Sequence, residues 1–226
     1  MAIILHIETT TKQCSVALAH KGELLASRRQ LKDSFSHSEQ LHTFISEVLT
    51  EASITADQLE AIAISKGPGS YTGLRIGVAA AKGLCFALDL PLIALNSLEI
   101  LIQSVVESTD FIIPMLDARR MEVYTAVFDQ NKKWIQETTA LVLDTDSFLE
   151  QVRDKKVVIL GDGAAKFQAL SPKINAYFIP SPSHPEASNM CALAWEKYKA
   201  KDFESVAYFE PFYLKEFQTT PSKKSI

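Results

Sequence analysis

Cysteine is scarce in this chain: three residues of 226, Cys14, Cys85 and Cys191, odd in number and widely spaced. No CxxC pair occurs, so a zinc site of the usual spacing is not expected. A reduced, cytoplasmic protein is the simplest reading. Positive charge is also short. Lys and Arg total 23 against 27 Asp and Glu, a formal net charge of −4. That balance excludes a generally basic nucleic-acid binder, because no net positive charge would release counterions from phosphates. A local basic patch stays compatible with it. Long hydrophobic runs are missing as well. The opening MAIILHIETT is apolar but short, has no positive flank and ends at Glu8, so it does not read as a signal peptide. The longest apolar stretch, residues 76–95, is interrupted by Lys82 and Asp89, and reads as helix, break and strand rather than a membrane span. What is present is the balance of a folded protein. Hydrophobic residues make up 47% and charged residues 22%, enough apolar surface to offset chain entropy. The length suits one large domain or two small lobes.

The order of elements favours two lobes. Residues 2–8, 14–20 and 23–30 read as three strands joined by short turns, an antiparallel meander. A helix over 36–52 follows, opened by Ser36 and Glu39 in the spacing of a capping box. A strand at 59–65, a helix at 73–88, a strand at 91–96 and a helix at 97–106 complete the first half. The pattern then restarts, with strands at 111–117, 121–129 and 134–143, a helix at 145–152, a strand at 156–161 and a helix at 163–170. A last helix spans 187–201, and the polar tail from Gln218 reads as disordered. The order βββαβα thus occurs twice, in halves 1–109 and 110–226. A meander followed by alternating helix and strand gives a mixed sheet covered by helices. Two such halves point to an α/β, actin-like fold, a duplicated ribonuclease-H-like unit. That analogy assigns no chemistry.

Five of the eight glycines, Gly67, Gly69, Gly73, Gly77 and Gly83, fall within one segment. Gly67, Pro68, Gly69 and Gly73 shape a tight strand-to-helix loop. Its amides could hold an anion, but no Lys-Ser/Thr follows as in a P-loop, and a tight turn is the simpler reading. In the helix beyond, Leu74, Val78, Ala81, Cys85 and Leu88 form an apolar stripe, with Gly77, Ala79, Ala80 and Gly83 around it. So many small residues let another helix approach closely. Two readings stay open: packing within the chain's own core, or burial against another subunit.

Glu8 ends the first strand and Asp117 ends its counterpart in the second half. In an actin-like ATPase, acids at these places face the cleft and position a metal–nucleotide complex. Thr9, Thr10 and Thr11 supply hydroxyls beside Glu8, though no glycine, and residues 161–165 are a partial form of an adenosine-binding turn. Such a site looks worn. The five histidines form no cluster: His37 and His42, five apart on a helix, face different sides, and all five read as solvated or capping. No Ser/His/Asp or Cys/His arrangement marks a nucleophile. Arg119 and Arg120 read as a solvated hairpin pair for which anion recognition is open.

Four runs carry a resemblance: Ile3-Ile4-Leu5-His6-Ile7-Glu8-Thr9-Thr10, His37-Ser38-Glu39-Gln40-Leu41, Lys66-Gly67-Pro68-Gly69-Ser70-Tyr71-Thr72-Gly73-Leu74-Arg75-Ile76-Gly77, and Met115-Leu116-Asp117-Ala118-Arg119-Arg120-Met121-Glu122-Val123-Tyr124. They resemble the TsaB (YeaZ) family, needed in bacteria to make threonylcarbamoyladenosine in tRNA. The resemblance is close over residues 1–125, and Pro211-Phe212-Tyr213-Leu214-Lys215 is similar to the family's ending. It implies a non-catalytic scaffold that pairs with TsaD, a glycoprotease-like paralogue carrying out the threonylcarbamoyl transfer, or pairs with itself when alone. It also implies a TsaE-like ATPase as third partner, tRNA contact only through the complex, and no membrane. TsaD holds a metal through two histidines. Ser97 and Leu101 stand at those places here, and an alkyl side chain ligates no metal. The resemblance therefore implies no cofactor, no metal and no catalytic residue, with Glu8, Thr9, Thr10 and Asp117 as weak candidates for a nucleotide. It places the partner interface on the two helices of the first lobe, at His37, Leu41, Phe44, Ile45, Val48, Leu74, Gly77, Val78, Ala80, Ala81 and Leu84. The alternatives are an actin-like ATPase or phosphotransferase with its own nucleotide site, resting on Glu8 and Asp117, and a metalloprotease, which would need metal ligands.

Overall fold

A computed structural model describes residues 2–31, 37–179 and 183–215. Ile3–Glu8 (β1), Gln13–His20 (β2) and Glu23–Leu31 (β3) form the meander. Every residue of β1 is buried, because helices cover both faces of the sheet, and a strand buried on both faces reads as a continuous apolar run. His37–Glu51 (α1), Ala61–Gly67 (β4), Tyr71–Leu88 (α2), Leu92–Asn96 (β5) and Ser97–Ile102 (α3) follow. The sheet order is β3-β2-β1-β4-β5, with β1 antiparallel to β2 and parallel to β4.

The second half repeats this plan. Phe111–Asp117 (β6), Glu122–Asp129 (β7), Trp134–Val142 (β8), Leu149–Val152 (α4), Val157–Leu160 (β9), Ala164–Leu170 (α5) and Tyr177–Phe178 (β10) precede Cys191–Ala200 (α6). Its sheet runs β10-β9-β6-β7-β8, with β6 antiparallel to β7 and parallel to β9. Read from β8, this is the first sheet's order with each strand five numbers later. The duplication inferred from element order is therefore also one of topology.

The halves are tied by helices that reach across. Leu98, Leu101 and Ile102 of α3 pack with Ile112, Leu116 and Phe128 of the second sheet. Conversely, Met190 and Ala194, before and within α6, pack on Ile4, Ala63 and Ile93 of the first. The C-terminal segment also returns to the first lobe: Phe209 joins its core, and the Lys82 ammonium donates to the Phe209 carbonyl at 3.0 Å.

Some boundaries differ from expectation for local reasons. α2 starts two residues early because the Ser70 hydroxyl caps it, accepting from the Gly73 amide. The helix expected at 97–106 stops at Ile102. The one expected at 145–152 is helical only over Leu149–Val152, since the Asp144 carboxylate accepts from the Asp146 amide and the Ser147 hydroxyl and holds a turn there. The last helix begins with a 3₁₀ turn, Ala187–Met190. Ser36, and with it the expected capping box, and the tail from Gln218 lie outside the described residues. Among the described residues no helix is long and apolar enough to cross a membrane.

Candidate functional site: a sealed hairpin and an open helix face

The turn between β1 and β2 is where an actin-like ATPase would meet its nucleotide. Here it is seated on the start of α2. The Ser70 amide donates to the Thr10 carbonyl at 2.7 Å, and the Thr9 hydroxyl donates to the Gly73 carbonyl at 2.8 Å. A Cβ on Gly73 would lie 2.0 Å from the Thr9 carbonyl oxygen, and one on Gly77 2.2 Å from the Thr9 hydroxyl. Gly73 thus serves a close contact between two backbones, and Gly77 leaves room for the Thr9 side chain. Thr9 and Thr10 are each 1% exposed. Two of the loop's amides are committed as well, Ser70 to the hairpin and Gly73 to the Ser70 hydroxyl. The Gly67–Pro68 peptide is cis.

Glu8 is fully buried. One carboxyl oxygen accepts from both the amide and the hydroxyl of Thr10 at 2.5 Å. Burial pushes its pKa up, against the opposing bonds from Ser65 and Thr10. Ser65 is in turn hydrogen-bonded to Ser97 at 2.8 Å, so a chain of buried polar groups runs beneath the hairpin. Asp117 differs. It is exposed, and its carboxylate accepts from the Arg119 amide at 2.6 Å and from the Lys166 ammonium at 2.9 Å. Its own amide donates to Asp162 at 2.8 Å, whose carboxyl is pushed up by burial. The Gly161–Gly163 turn is tied to its neighbours: the Gly161 amide donates to the Ser183 hydroxyl and the Gly163 amide to the Met115 carbonyl. The two strand-end acids therefore share no site, one being interior and the other paired at the surface.

The histidines correct the expectation of solvated or capping groups. His6, His37 and His184 are buried. His37 is bonded through Nε2 to the Thr11 carbonyl at 2.8 Å, which helps hold the hairpin down. Burial pushes His6 down to about 4. Sequence spacing showed neither, because the partners are distant in the chain. Burial also raises all three cysteine thiols, Cys14 and Cys85 to about 12 and Cys191 to about 11, which leaves little thiolate for nucleophilic work.

Relatives decide what this arrangement belongs to. A family model described as TsaD, tRNA N6-adenosine threonylcarbamoyltransferase, matches residues 32–219. The tRNA threonylcarbamoyladenosine biosynthesis protein TsaB of Bacillus subtilis is 32% identical over 70% of this chain and 70% of its own length. The Haemophilus influenzae protein of that name is 29% identical over 94% of this chain and 93% of its own. The structure of YeaZ from Pseudomonas aeruginosa matches with a TM-score of 0.81 at 27% identity, covering 95% of this chain and 100% of that one. The chain belongs to the TsaB/YeaZ family. Its fold is the actin-like one: the activator of 2-hydroxyisocaproyl-CoA dehydratase from Clostridium difficile, solved with bound ADPNP, matches at a TM-score of 0.52 and 10% identity over 88% of this chain and 97% of that one.

In this member of the TsaB family, Ser97 and Leu101 are both fully buried. Leu101 sits among Ile112, Leu116 and Phe128. Among the described residues, no group of three or more His, Cys, Asp or Glu side chains is placed to hold a metal ion. The helices also require a correction. His37, Leu41, Ile45, Val48, Leu74, Gly77, Val78 and Ala81, expected at a partner interface, are buried within the chain. The apolar stripe of a helix lying on a sheet faces that sheet. Phe44, Ala80 and Leu84 are half-buried at its margins. The outward face of α2 instead carries Thr72, Arg75, Ala79, Gly83, Phe86 and Ala87. Phe86 is 87% exposed, and a Cβ on Gly83 would meet nothing within 4 Å. Sequence reasoning missed Phe86. The available signal was its place off the apolar stripe, in line with Ala79 and Gly83.

Proposed function

We propose that this chain is a non-catalytic scaffold subunit in tRNA threonylcarbamoyladenosine biosynthesis. In this reading it binds a TsaD-like catalytic subunit and raises its activity, a TsaE-like ATPase joins the pair, and tRNA is met through the complex. Free chains pair with one another by the same surface. The lobe of residues 1–109 carries the docking helices, and residues 110–226 form the second lobe. The docking surface is the outward face of α2, around Ala79, Gly83 and Phe86, with the adjoining exposed side of α1. The half-buried Phe44, Ala80 and Leu84 flank it.

One observation carries the non-catalytic reading: the hairpin that would take a nucleotide is pressed against α2 with no room for a side chain at Gly73 or Gly77. The alternative, an ATPase or phosphotransferase, requires Glu8 to leave a fully buried place. The α2 face supports docking for a complementary reason. A bare Phe86 beside small residues offers an apolar anchor with room for close helix approach.

The test is affinity between the full chain and a TsaD-like subunit, by calorimetry, for wild type and Gly83→Trp. A Cβ at Gly83 meets no atom of its own chain within 4 Å, and the variant is expected to keep the wild-type fold by circular dichroism. Its affinity for the partner falls at least tenfold. Unchanged affinity would remove the assigned face, and stoichiometric binding of magnesium–nucleotide to the isolated chain would favour the ATPase.

A further inference from the structure

The tip of the β6–β7 hairpin is built against the preferences of its own residues. Arg119 has φ of 69° and Arg120 has φ of 49°. Among the described residues this is the one place where two successive non-glycine residues both take positive φ. Such backbone suits glycine or asparagine and is unfavourable for an arginine with its Cβ. Both side chains are exposed. The tip is nonetheless held firmly. The Asp117 carboxylate accepts the Arg119 amide, the Ala118 amide donates to the Glu122 carbonyl at 3.1 Å, and the Lys215 ammonium donates to the Ala118 carbonyl at 3.4 Å.

The charges around the tip separate into two groups. Lys166 is paired with Asp117 and Lys215 with Glu122. Among the described residues, neither guanidinium of Arg119 and Arg120 has an ion-pair or hydrogen-bond partner. So two permanent, unpaired cations with fork-shaped donors stand side by side on a rigid, strained turn, in a chain whose net charge is −4. Strain kept at an exposed turn is a pointer to use, and a guanidinium pair matches the oxygens of phosphate.

We propose that Arg119 and Arg120 form a contact point for the sugar–phosphate backbone of RNA, which rests on the reading above that the chain works in a complex acting on tRNA. The contact is to phosphates, so it anchors and orients the nucleic acid and reads no sequence.

The experiment uses the reconstituted complex of the full chain with its catalytic partner, and an unmodified tRNA transcript as the probe. Binding is followed by anisotropy across a salt series for wild type, Arg119→Asn/Arg120→Asn and Arg119→Lys/Arg120→Lys. Asparagine suits the left-handed backbone, so the first variant keeps its fold and its assembly with the partner, checked by size exclusion. Its affinity for the transcript falls about tenfold at low salt, and the slope of log affinity against log salt shrinks by about 1–2, the share of two lost phosphate contacts. The lysine variant keeps most of that slope. Affinity and slope equal to wild type would overturn the proposal. So would loss of assembly with the partner, which would make the pair a protein contact. A wild-type complex that forms but binds no tRNA would instead sink the underlying functional reading.

Discussion

Two hairpins hold equivalent places in the two lobes and have opposite fates. Each joins the first two strands of its sheet, and each follows an acid that closes the first strand, Glu8 or Asp117. The first is interior, its carboxylate held by Thr10 and its threonines pressed on α2. The second is exposed, its acid bonded to Lys166 and its tip occupied by two arginines. The cause is the helix that follows the fourth strand of each sheet. α2 has 18 residues and seats its glycine-bearing first turns on the hairpin. α5 has only seven residues and reaches its hairpin with one flexible side chain, Lys166. Topology thus sets where the acid lies, and the neighbouring helix decides whether anything can reach it.

The largest expected effect is on the closed hairpin. Gly73→Ala puts a Cβ 2.0 Å from the Thr9 carbonyl oxygen, and because the obstacle is backbone, the hairpin or the helix has to move. Overpacking of this kind costs about 3 kcal/mol or more, a fall in Tm of roughly 6–12 °C in a chain of this size. A thermal melt checks it. A variant melting with wild type would mean that the closure does not depend on this contact.

Much of this was legible in the residues, but not the closure itself. Alternation in strands β2 and β7, and the apolar periods of α1 and α2, placed nearly every element, because those patterns are local. The two-residue strand β10 has too few residues to carry a period. The glycine cluster was visible as a cluster, but its meaning lies in Thr9, 64 residues from Gly73, and no local rule joins them. The same limit left the stripe on α2 open between the chain's own core and another subunit, while the family resemblance placed Leu41, Val48 and Leu74 at a partner interface. An apolar stripe announces that it is covered, not by what, and here it is covered by the chain's own sheet. Phe86 went unremarked for the converse reason, since a single exposed aromatic has no period.

The next effect concerns pH and separates the two acids by burial. Glu8 holds its proton above its ordinary value near 4.5 because burial disfavours the carboxylate. As pH rises through that value, the unfolded chain gives up the proton first and the folded chain retains it. Wild-type stability therefore declines with rising pH until the folded carboxyl ionises. Glu8→Gln cannot ionise and keeps an acceptor for Thr10. Its stability relative to wild type is flat below about pH 4 and grows in its favour as pH rises past the ordinary carboxylate range. Urea unfolding from pH 4 to 8 reads the difference directly. A wild type that gains on the variant as pH rises would place a stabilised charge beneath the hairpin and reopen the case for a cation there.

The smallest effect belongs to the open hairpin. In the Lys166–Asp117 pair the side chains are 21% and 43% exposed, so water competes for both ions, and ordering the long lysine side chain offsets part of the attraction. Lys166→Gln removes the charge while leaving a donor of similar reach, and its cost is below about 1 kcal/mol, shrinking further in high salt as the remaining attraction is screened. Thermal melts of this variant in low and high salt give the number to set beside Gly73→Ala. A loss as large as at Gly73, and insensitive to salt, would make Lys166 a clamp equal to the α2 glycines. The second hairpin would then be closed by other means rather than left accessible, and the contrast between the lobes would disappear.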